Sequence, residues 1–307
     1  TDVDLSANSF AIFNKSVDFS SPNLAKEMHV GHLRTTLIGD TMARVFEYQG
    51  HKVIRQNHVG DWGTQFGMLI AYLDGVGTSA DDLKDLEIFY QKAKKRFDED
   101  PDFAEKSRSY VVALQQDQPD VLVKWRAFIE ISMSHCEAIY SDLNVTLHQK
   151  DTFGESQYKG TIPAIMETLT KEGLITKSNS ALCVFLDEFT DKNGEKQPVI
   201  VQKSDGGYLY STTDLAAIRH RAHELEADRF LYFVDARQTL HFRQIFALAR
   251  KAGLCTPNLV LGHISNGAIL NKAGKPFKTR DGNTVKLADL IKESRERAKE
   301  IFLAKNG

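Results

Sequence analysis

Two histidines three residues apart enclose a glycine in the string SPNLAKEMHVGHLR, residues 21–34. An apolar pattern with helical spacing follows, so His29 and His32 are expected on one face at the start of a helix. Free backbone N–H groups and a partial positive charge gather at such an end, which suits a phosphate. Gly31 would let a ligand approach the backbone. Because a helix N-terminus disfavours an imidazolium, we expect neutral histidines that donate hydrogen bonds, with Lys26 supplying full charge.

The spacing alone leaves two other interpretations open: two surface histidines, or a pair of metal ligands. A metal site needs a third ligand, and no carboxylate or cysteine near His29 and His32 makes one obvious. We therefore predict no metal site.

The elements that would position these residues alternate between strand and helix. VDFSSPN and HKVIRQN are predicted strands on either side of a helix that runs from His32 and stops at Gly50, a unit that predicts a right-handed parallel crossover. RFLYFVDARQ and NLVLGHIS are further predicted strands, separated by the helix TLHFRQIFALARKAG. Two apolar runs separated by DKNGEK predict a β-hairpin, followed by another strand before STTD.

The predicted fold class is therefore α/β with a doubly wound parallel sheet. We expect residues 1–74 to form the first half of a nucleotide-binding catalytic domain, and the charged, helix-periodic residues 75–144 to form a helical insertion. Residues 145–307 would form the second half, with the β-hairpin inserted in it. Ligands in such folds bind at the carboxyl ends of the strands, which would gather SPN, NHVGDWG, STTD and VDARQ around one cleft.

The composition, with 42% hydrophobic and 26% charged residues among 307, is ordinary for a soluble protein. The net charge of -2 argues against binding polyanions over the whole surface. No apolar run approaches the roughly 18 residues of a membrane span. Three cysteines without metal-ligand spacing favour a reducing compartment, so we expect a cytoplasmic protein. We also expect a monomer. The chain starts at Thr1 without a signal-peptide pattern and stops after a helix-like run, so we expect a core fragment of something longer.

The string SPNLAKEMHVGHLR resembles the HIGH signature of class I aminoacyl-tRNA synthetases, and SPN with its lysine is similar to arginyl-tRNA synthetases. VIRQNHVGDWGTQFG, YLYSTTDLAAI, FVDARQTLHFRQIF and KTRDGN match that family in the same order, over essentially the whole chain. The resemblance implies a class I Rossmann-type catalytic domain that joins arginine to ATP as arginyl adenylate and passes it to tRNA(Arg). ATP with Mg²⁺ would be a substrate, and no tightly bound cofactor is expected. The resemblance also implies that activation requires bound tRNA, and that tRNA-binding domains belong on both sides of this core.

By that resemblance, His29 and His32 would stabilise the α-phosphate during attack by the amino acid carboxylate. The second class I signature, KMSKS, departs from its pattern here, because GKPFKTRDGN places Pro276 at the first lysine. Lys26 resembles the upstream lysine that such arginyl enzymes use instead. The candidates for holding the triphosphate on this KMSKS-like loop are Lys275, Lys278 and Arg280. A solvated basic turn is the alternative interpretation of the loop.

Arginine recognition calls for carboxylates, because a planar guanidinium pairs its donors with two parallel carboxylate bonds. Asp214, one helical turn beyond Tyr210, is the first candidate, and Asp18 is the second. The resemblance places arginine contacts at Asp214, Asp18 and Tyr210. It also places them at Asn23 and Gln238, which would hold the α-amino group or carboxylate. Alternatively, Asp214 only caps a helix and Asp18 only faces water.

Two further strings carry weaker hypotheses. NHVGDWGTQFG is typical of a strand end, a turn and a helix start, with Asp61 suited to capping and Trp62 to packing; a purely structural turn is the alternative. His241 and Gln244 follow VDARQ at near-helical spacing and would contact adenine or ribose, although an exposed amphipathic helix gives the same pattern.

Two rival functions remain open. A small-molecule nucleotidyltransferase can use a similar HxGH helix start, but it has no reason to carry the tyrosine and the two aspartates. A non-catalytic paralogue that senses arginine or binds tRNA is the other, and the loss of the signature lysine at Pro276 is the feature that favours it.

Overall fold

The computed structural model describes residues 12–76, 85–267, 269–270, 274 and 286–306. The predicted triphosphate-binding residues lie outside the described residues, as does the proline in their loop: Lys275, Pro276, Lys278 and Arg280.

The described strands are, in chain order, β1 (Asn14–Asp18), β2 (Lys52–Gln56), β3 (Ile175–Ser178), β4 (Ala181–Thr190), β5 (Lys196–Gln202), β6 (Arg229–Tyr232) and β7 (Val260–His263). The described helices are α1 (Gly31–Tyr48), α2 (Thr64–Val76), α3 (Leu86–Glu99), α4 (Pro101–Gln115), α5 (Pro119–Asp142), α6 (Ile162–Lys171), α7 (Tyr210–His223), α8 (Thr239–Lys251) and α9 (Leu287–Asn306).

A parallel sheet lies at the centre of the fold, with β2, β1, β6 and β7 side by side in that order among the described residues. Val17 in β1 pairs with Arg55 of β2 on one side and with Leu231 of β6 on the other. Helix α1 connects β1 to β2, so the predicted parallel connection is confirmed, and α8 connects the parallel strands β6 and β7 in the same way; the right hand of the crossover stays a prediction. The predicted α/β class with a parallel sheet is confirmed as well.

Helix α1 packs very closely on the end of β1. A Cβ added at Gly39 would lie 2.2 Å from the Phe19 Cβ, so only glycine permits this approach. Gly50, with φ +85°, follows the helix and turns the chain into β2, as predicted for the helix stop.

A second, antiparallel sheet orders β3, β4 and β5. The predicted hairpin is β4 and β5; β3 was not predicted. The strand expected after the hairpin is wrong, because helix α7 begins directly at Tyr210. The Thr212 Oγ1 donates to the Val201 carbonyl at 2.6 Å, and the Ser211 hydroxyl donates to the Ile200 carbonyl. These hydroxyls bond the first helical turn to the strand that precedes it.

Helices α3, α4 and α5 lie within the stretch 75–144, where a helical insertion is predicted. The division of the chain into segments itself stays a prediction. Two buried apolar clusters support the elements: one includes side chains of α1 to α5, the other packs the antiparallel sheet against α6, α7 and α8. In the described part of the chain, no helix is long and apolar enough to cross a membrane.

Candidate active site

The two histidines of the signature lie at the start of α1, as predicted. Their ring centroids are 4.1 Å apart, and Gly31 is the first residue of the helix. The Gly31 N–H donates to the His29 Nδ1 at 3.0 Å, and the His29 N–H donates to the His32 Nδ1 at 3.1 Å. Because each Nδ1 accepts a backbone proton, each neutral ring carries its own proton on Nε2.

Burial and neighbouring positively charged groups keep both imidazole rings neutral. Burial, aided by the charges of Lys26 and Arg237, lowers the pKa of His29. Burial and the neighbouring His29 lower the pKa of His32 to about 3. The pair is therefore arranged as two N–H donors at a helix N-terminus, which suits the charge that develops on a phosphate oxygen.

Gly31 has a reason for being glycine that the sequence did not reveal. A Cβ at this position would lie 2.6 Å from the His29 Cε1, so a side chain would displace the ring. The Lys26 Nζ lies 4.5 Å from the centroid of Tyr90 in α3. Burial is the main cause that lowers the pKa of Lys26.

Two imidazoles face the Asp214 carboxylate, which lies in α7. The His241 Nε2 donates to Oδ2 at 2.6 Å, and the His58 Nε2 lies 3.4 Å from Oδ1. Burial would raise the pKa of Asp214, but the bonds from His241 and His58 hold it well below its usual range. Helix α7 starts at Tyr210, and Leu209 occupies the capping position. Asp214 therefore lies inside the helix, and the interpretation of Asp214 as a cap is wrong.

His58 is bonded on both sides by acceptors. Its Nδ1 lies 3.2 Å from the Phe153 carbonyl, which can only accept a proton, while its Nε2 faces the Asp214 carboxylate. Burial lowers the pKa of His58, but the hydrogen bond and charge of Asp214 outweigh it and raise the pKa above its ordinary value. An imidazolium here satisfies both acceptors at once.

A cavity of about 280 Å³ opens beside this cluster. Its walls include Asn23 and Tyr210, two of the predicted arginine-binding residues, and also Lys203 and the partly buried Glu155. Burial raises the pKa of Glu155 to about 8, with a smaller opposing effect from His58. The Tyr210 ring lies 4.7 Å from that of His241, so one wall of the cavity packs against the imidazole that bonds to Asp214.

Asp18 is buried, not exposed, so the interpretation that it faces water is wrong. Its Oδ2 accepts from the Arg221 Nη2 at 2.6 Å, and its Oδ1 accepts from the Ser21 Oγ at 2.7 Å. The carboxylate is therefore already neutralised by a guanidinium of the chain itself. Its contact with the loop before Asn23 makes it a support for the site.

The remaining predicted residues lie around VDARQ. Gln238 is exposed and precedes α8, whereas Gln244 is partly buried within it. Neither forms a hydrogen bond with the Asp214 cluster, but the same turn carries Arg237, whose charge acts on His29. His241 contacts Asp214, which its predicted role toward ATP did not anticipate.

Asp61 does not cap the helix that follows it. It accepts from the Ser156 N–H at 2.8 Å and from the Ser156 Oγ at 2.6 Å, so it joins its loop to the segment between α5 and α6. Trp62 packs against the core and lines the cavity.

Sequence reasoning missed three side chains of the site: His58, Glu155 and Arg221. His58 lies in NHVGDWG, and its position at the carboxyl end of a strand was the signal that could have identified it. Glu155 and Arg221 lie in segments that gave no such signal. Among the described residues, no group of three or more His, Cys, Asp or Glu side chains is arranged to hold a metal ion.

Comparison with known proteins agrees with this arrangement. Residues 12–307 match the family model for class I tRNA synthetases (R), catalytic domain. The chain is 54% identical over 295 residues to an arginine–tRNA ligase of Hahella chejuensis, covering 94% of this chain and 51% of that protein. It is 56% identical over 291 residues to the arginine–tRNA ligase of Pseudomonas aeruginosa, covering 94% and 50%.

Solved structures give the same result. Arginyl-tRNA synthetase from Plasmodium falciparum matches with a TM-score of 0.78 and 35% identity, over 97% of this chain and 48% of that one. The Thermus thermophilus arginyl-tRNA synthetase matches with a TM-score of 0.72, over 96% of this chain and 54% of that one; at 20% identity this shows the fold alone. The chain spans about half the length of the curated relatives it matches. From the family match over residues 12–307 and the paired histidines at the start of α1, we conclude that this chain belongs to the class I tRNA synthetases (R), as their catalytic domain.

Proposed function

We propose that this chain activates arginine with ATP to arginyl adenylate and passes the arginyl group to tRNA(Arg), the reaction of an arginine–tRNA ligase. One observation carries the proposal: a cavity walled by Tyr210 and by the acid Glu155 lies next to His241, the imidazole that donates to the Asp214 carboxylate. A site with two acids beside an aromatic hydroxyl is suited to a cation with several donors.

A guanidinium fits these groups better than an ammonium. We propose that its planar donors pair with the Asp214 and Glu155 carboxyls and the Tyr210 hydroxyl, whereas the ammonium of lysine is a point charge. Asn23, on the wall of the same cavity, is placed for the α-amino group or carboxylate. Unpaired buried acceptors would then reject lysine and citrulline, so no editing step is required.

Activation would take place at the start of α1. An oxygen of the arginine carboxylate attacks the α-phosphorus of ATP, and the bond to pyrophosphate breaks with its electron pair on the leaving group. The Nε2–H groups of His29 and His32, with the N-terminal backbone of α1, would stabilise the negative charge on the α-phosphate. Lys26 would add a full charge. Mg²⁺, arriving with ATP, would neutralise the departing pyrophosphate.

Transfer then needs only positioning. A ribose hydroxyl at the tRNA end attacks the arginyl carbonyl carbon, and AMP leaves with the electrons of the broken acyl–phosphate bond. Lys275, Lys278 and Arg280 stay predicted contacts of the triphosphate. A monomer in the cytoplasm is part of the proposal, and its three cysteines are free thiols in the buried part of the fold.

Calorimetric titration tests the proposal. The chain is titrated with arginine, lysine and citrulline, with and without a non-hydrolysable ATP analogue. Arginine-selective binding supports the proposal, and pyrophosphate exchange with added tRNA(Arg) then tests catalysis. Binding of the analogue without any preference for arginine, in a folded sample, would refute it in favour of a small-molecule nucleotidyltransferase. Selective arginine binding without exchange would favour a non-catalytic paralogue.

A further inference from the structure

Helix α5 of the predicted insertion sends three polar side chains to the loops of the site. The Trp125 Nε1 donates to the Asp61 carbonyl at 2.7 Å, and the Ser132 Oγ donates to the Leu24 carbonyl at 2.5 Å. The Tyr140 hydroxyl lies 2.8 Å from the Ser20 Oγ. These residues recur along one face of the helix, so a single rigid element contacts both loops.

The loop between β1 and Asn23 needs such support, because two successive serines are left-handed. Ser20 has φ 68° and Ser21 has φ 45°, a conformation that residues with a Cβ seldom adopt. Strained backbone of this kind persists only where surrounding contacts determine it. Ser20 is buried, so water cannot replace a lost partner of its hydroxyl.

Tyr140 is the contact that joins the strained turn to the second loop. Its hydroxyl accepts from the Asn57 Nδ2 at 3.2 Å, in addition to the bond with Ser20. Asn57 in turn accepts from the Ser21 N–H through Oδ1 at 3.0 Å. The Thr36 Oγ1 of α1 donates to the Ser20 Oγ at 3.1 Å. One phenol therefore lies at the meeting point of β1, β2, α1 and α5.

The strained turn determines where Asn23 lies. Pro22 accepts from the Gly60 N–H at 3.0 Å, and Leu24 donates to the Gly60 carbonyl at 2.9 Å, so the residues flanking Asn23 are paired with the second loop. A turn that left its left-handed conformation would break this pairing and move Asn23 along the cavity wall.

We propose that Tyr140 is a positioning residue for arginine binding: its hydroxyl holds the Ser20–Ser21 turn in its left-handed conformation and thereby places Asn23 at the cavity. The inference rests on the proposed function. Tyr140 itself is buried and contacts no part of the cavity, so it acts only through the loop.

The test compares Tyr140→Phe with Tyr110→Phe, which removes a bonded hydroxyl from the neighbouring helix α4, where it donates to Asp74. Ser134→Ala is a second control, on α5 itself, because the Ser134 hydroxyl only bonds to its own helix. Affinities for arginine and for a non-hydrolysable ATP analogue are measured by calorimetry, together with the melting temperature.

Tyr140→Phe should weaken arginine binding about tenfold, because a smaller fraction of molecules holds the competent loop. ATP-analogue binding should change less than about twofold, and both control variants should match the wild type. Ser20→Ala should cause a similar loss, and the double variant with Tyr140→Phe should lose little more, since both changes remove one interaction.

Three outcomes overturn the inference. An arginine affinity unchanged in Tyr140→Phe and in Ser20→Ala would show that the turn needs no such support. Equal losses for arginine and the ATP analogue, with a lower melting temperature, would make Tyr140 merely structural. If the wild type itself does not bind arginine, the proposed function fails, and the inference falls with it.

Discussion

Replacing Asp214 by asparagine tests the charge on which arginine recognition depends. The substitution keeps the shape of the side chain but removes its charge, and the Asp214 side chain is only 13% exposed. Removing one partner of a buried ion pair costs about 3–5 kcal/mol, so arginine should bind at least about a hundredfold more weakly. The ATP analogue should bind as before, because the paired histidines of α1 are unchanged.

The same variant has a signature in stability. The folded-state pKa of Asp214 is depressed, so its charge contributes stability that is present above the unfolded pKa and lost as the pH falls through the folded value. Asp214→Asn lacks that contribution. Its free energy of unfolding in urea should therefore be lower at neutral pH and should fall less steeply in acid.

Asp187→Asn is the matched control, because it removes an exposed carboxylate that pairs with Lys196 at 2.6 Å, far along the antiparallel sheet. An exposed pair of this kind contributes little. If Asp214→Asn bound arginine within about threefold of the wild type while remaining folded, the assignment of Asp214 to the guanidinium would be refuted.

Three further predictions concern the pH dependence, the helix start and the buried ion pair. Because burial raises the pKa of Glu155 to about 8, binding a guanidinium should release its proton, so arginine affinity should rise by up to tenfold per pH unit from about pH 6 to 8. An arginine affinity that does not change with pH in calorimetric titrations would contradict this prediction. Gly31→Ala should displace the His29 ring and weaken ATP-analogue binding about tenfold, and an unchanged affinity would count against the steric argument. Arg221→Met should lower the free energy of unfolding by about 3–5 kcal/mol by leaving Asp18 uncompensated, and a further Asp18→Asn change should recover much of it in urea denaturation.

Each of these changes has a control within the chain. Glu155→Gln should flatten the pH profile, because it cannot ionise. Gly160→Ala adds a methyl group where no atom lies within 4 Å, so it should leave ATP-analogue binding unchanged. Arg295→Met removes an exposed partner of Asp142 and should cost far less stability than Arg221→Met.

The parts of the fold that depend on neighbouring residues were predictable. The start of α1, its stop at Gly50 and the spacing of Tyr210 and Asp214 follow from local sequence, because helix periodicity and a left-handed glycine are properties of a few consecutive residues. The hairpin of β4 and β5 was equally local. The prediction of a strand before α7 was wrong because the few residues before STTD do not distinguish a strand from the start of a helix. In the structure the Ser211 and Thr212 hydroxyls bond that helix start back to β5.

The parts that depend on distant residues were not predictable. Asp18 reads as an exposed residue between two apolar ones until Arg221, 203 residues away, is placed against it. Asp214, 156 positions further along the chain, is the main cause that raises the pKa of His58, and burial is the main cause that raises the pKa of Glu155. Local patterns identify the residues that could do chemistry, but their protonation states depend on tertiary neighbours.

The strand order of the parallel sheet has a consequence during synthesis on the ribosome. Strand β1 needs β6 on one side, and the Asn14 N–H finds its partner in Asp228, 214 residues further along. At about 5–20 residues per second, that partner emerges roughly 10–40 s later. Until then one edge of β1 has no backbone partner and the Asp18 carboxylate has no guanidinium beside it. The nascent chain therefore keeps its central strand open to pairing with other chains while those 214 residues are translated.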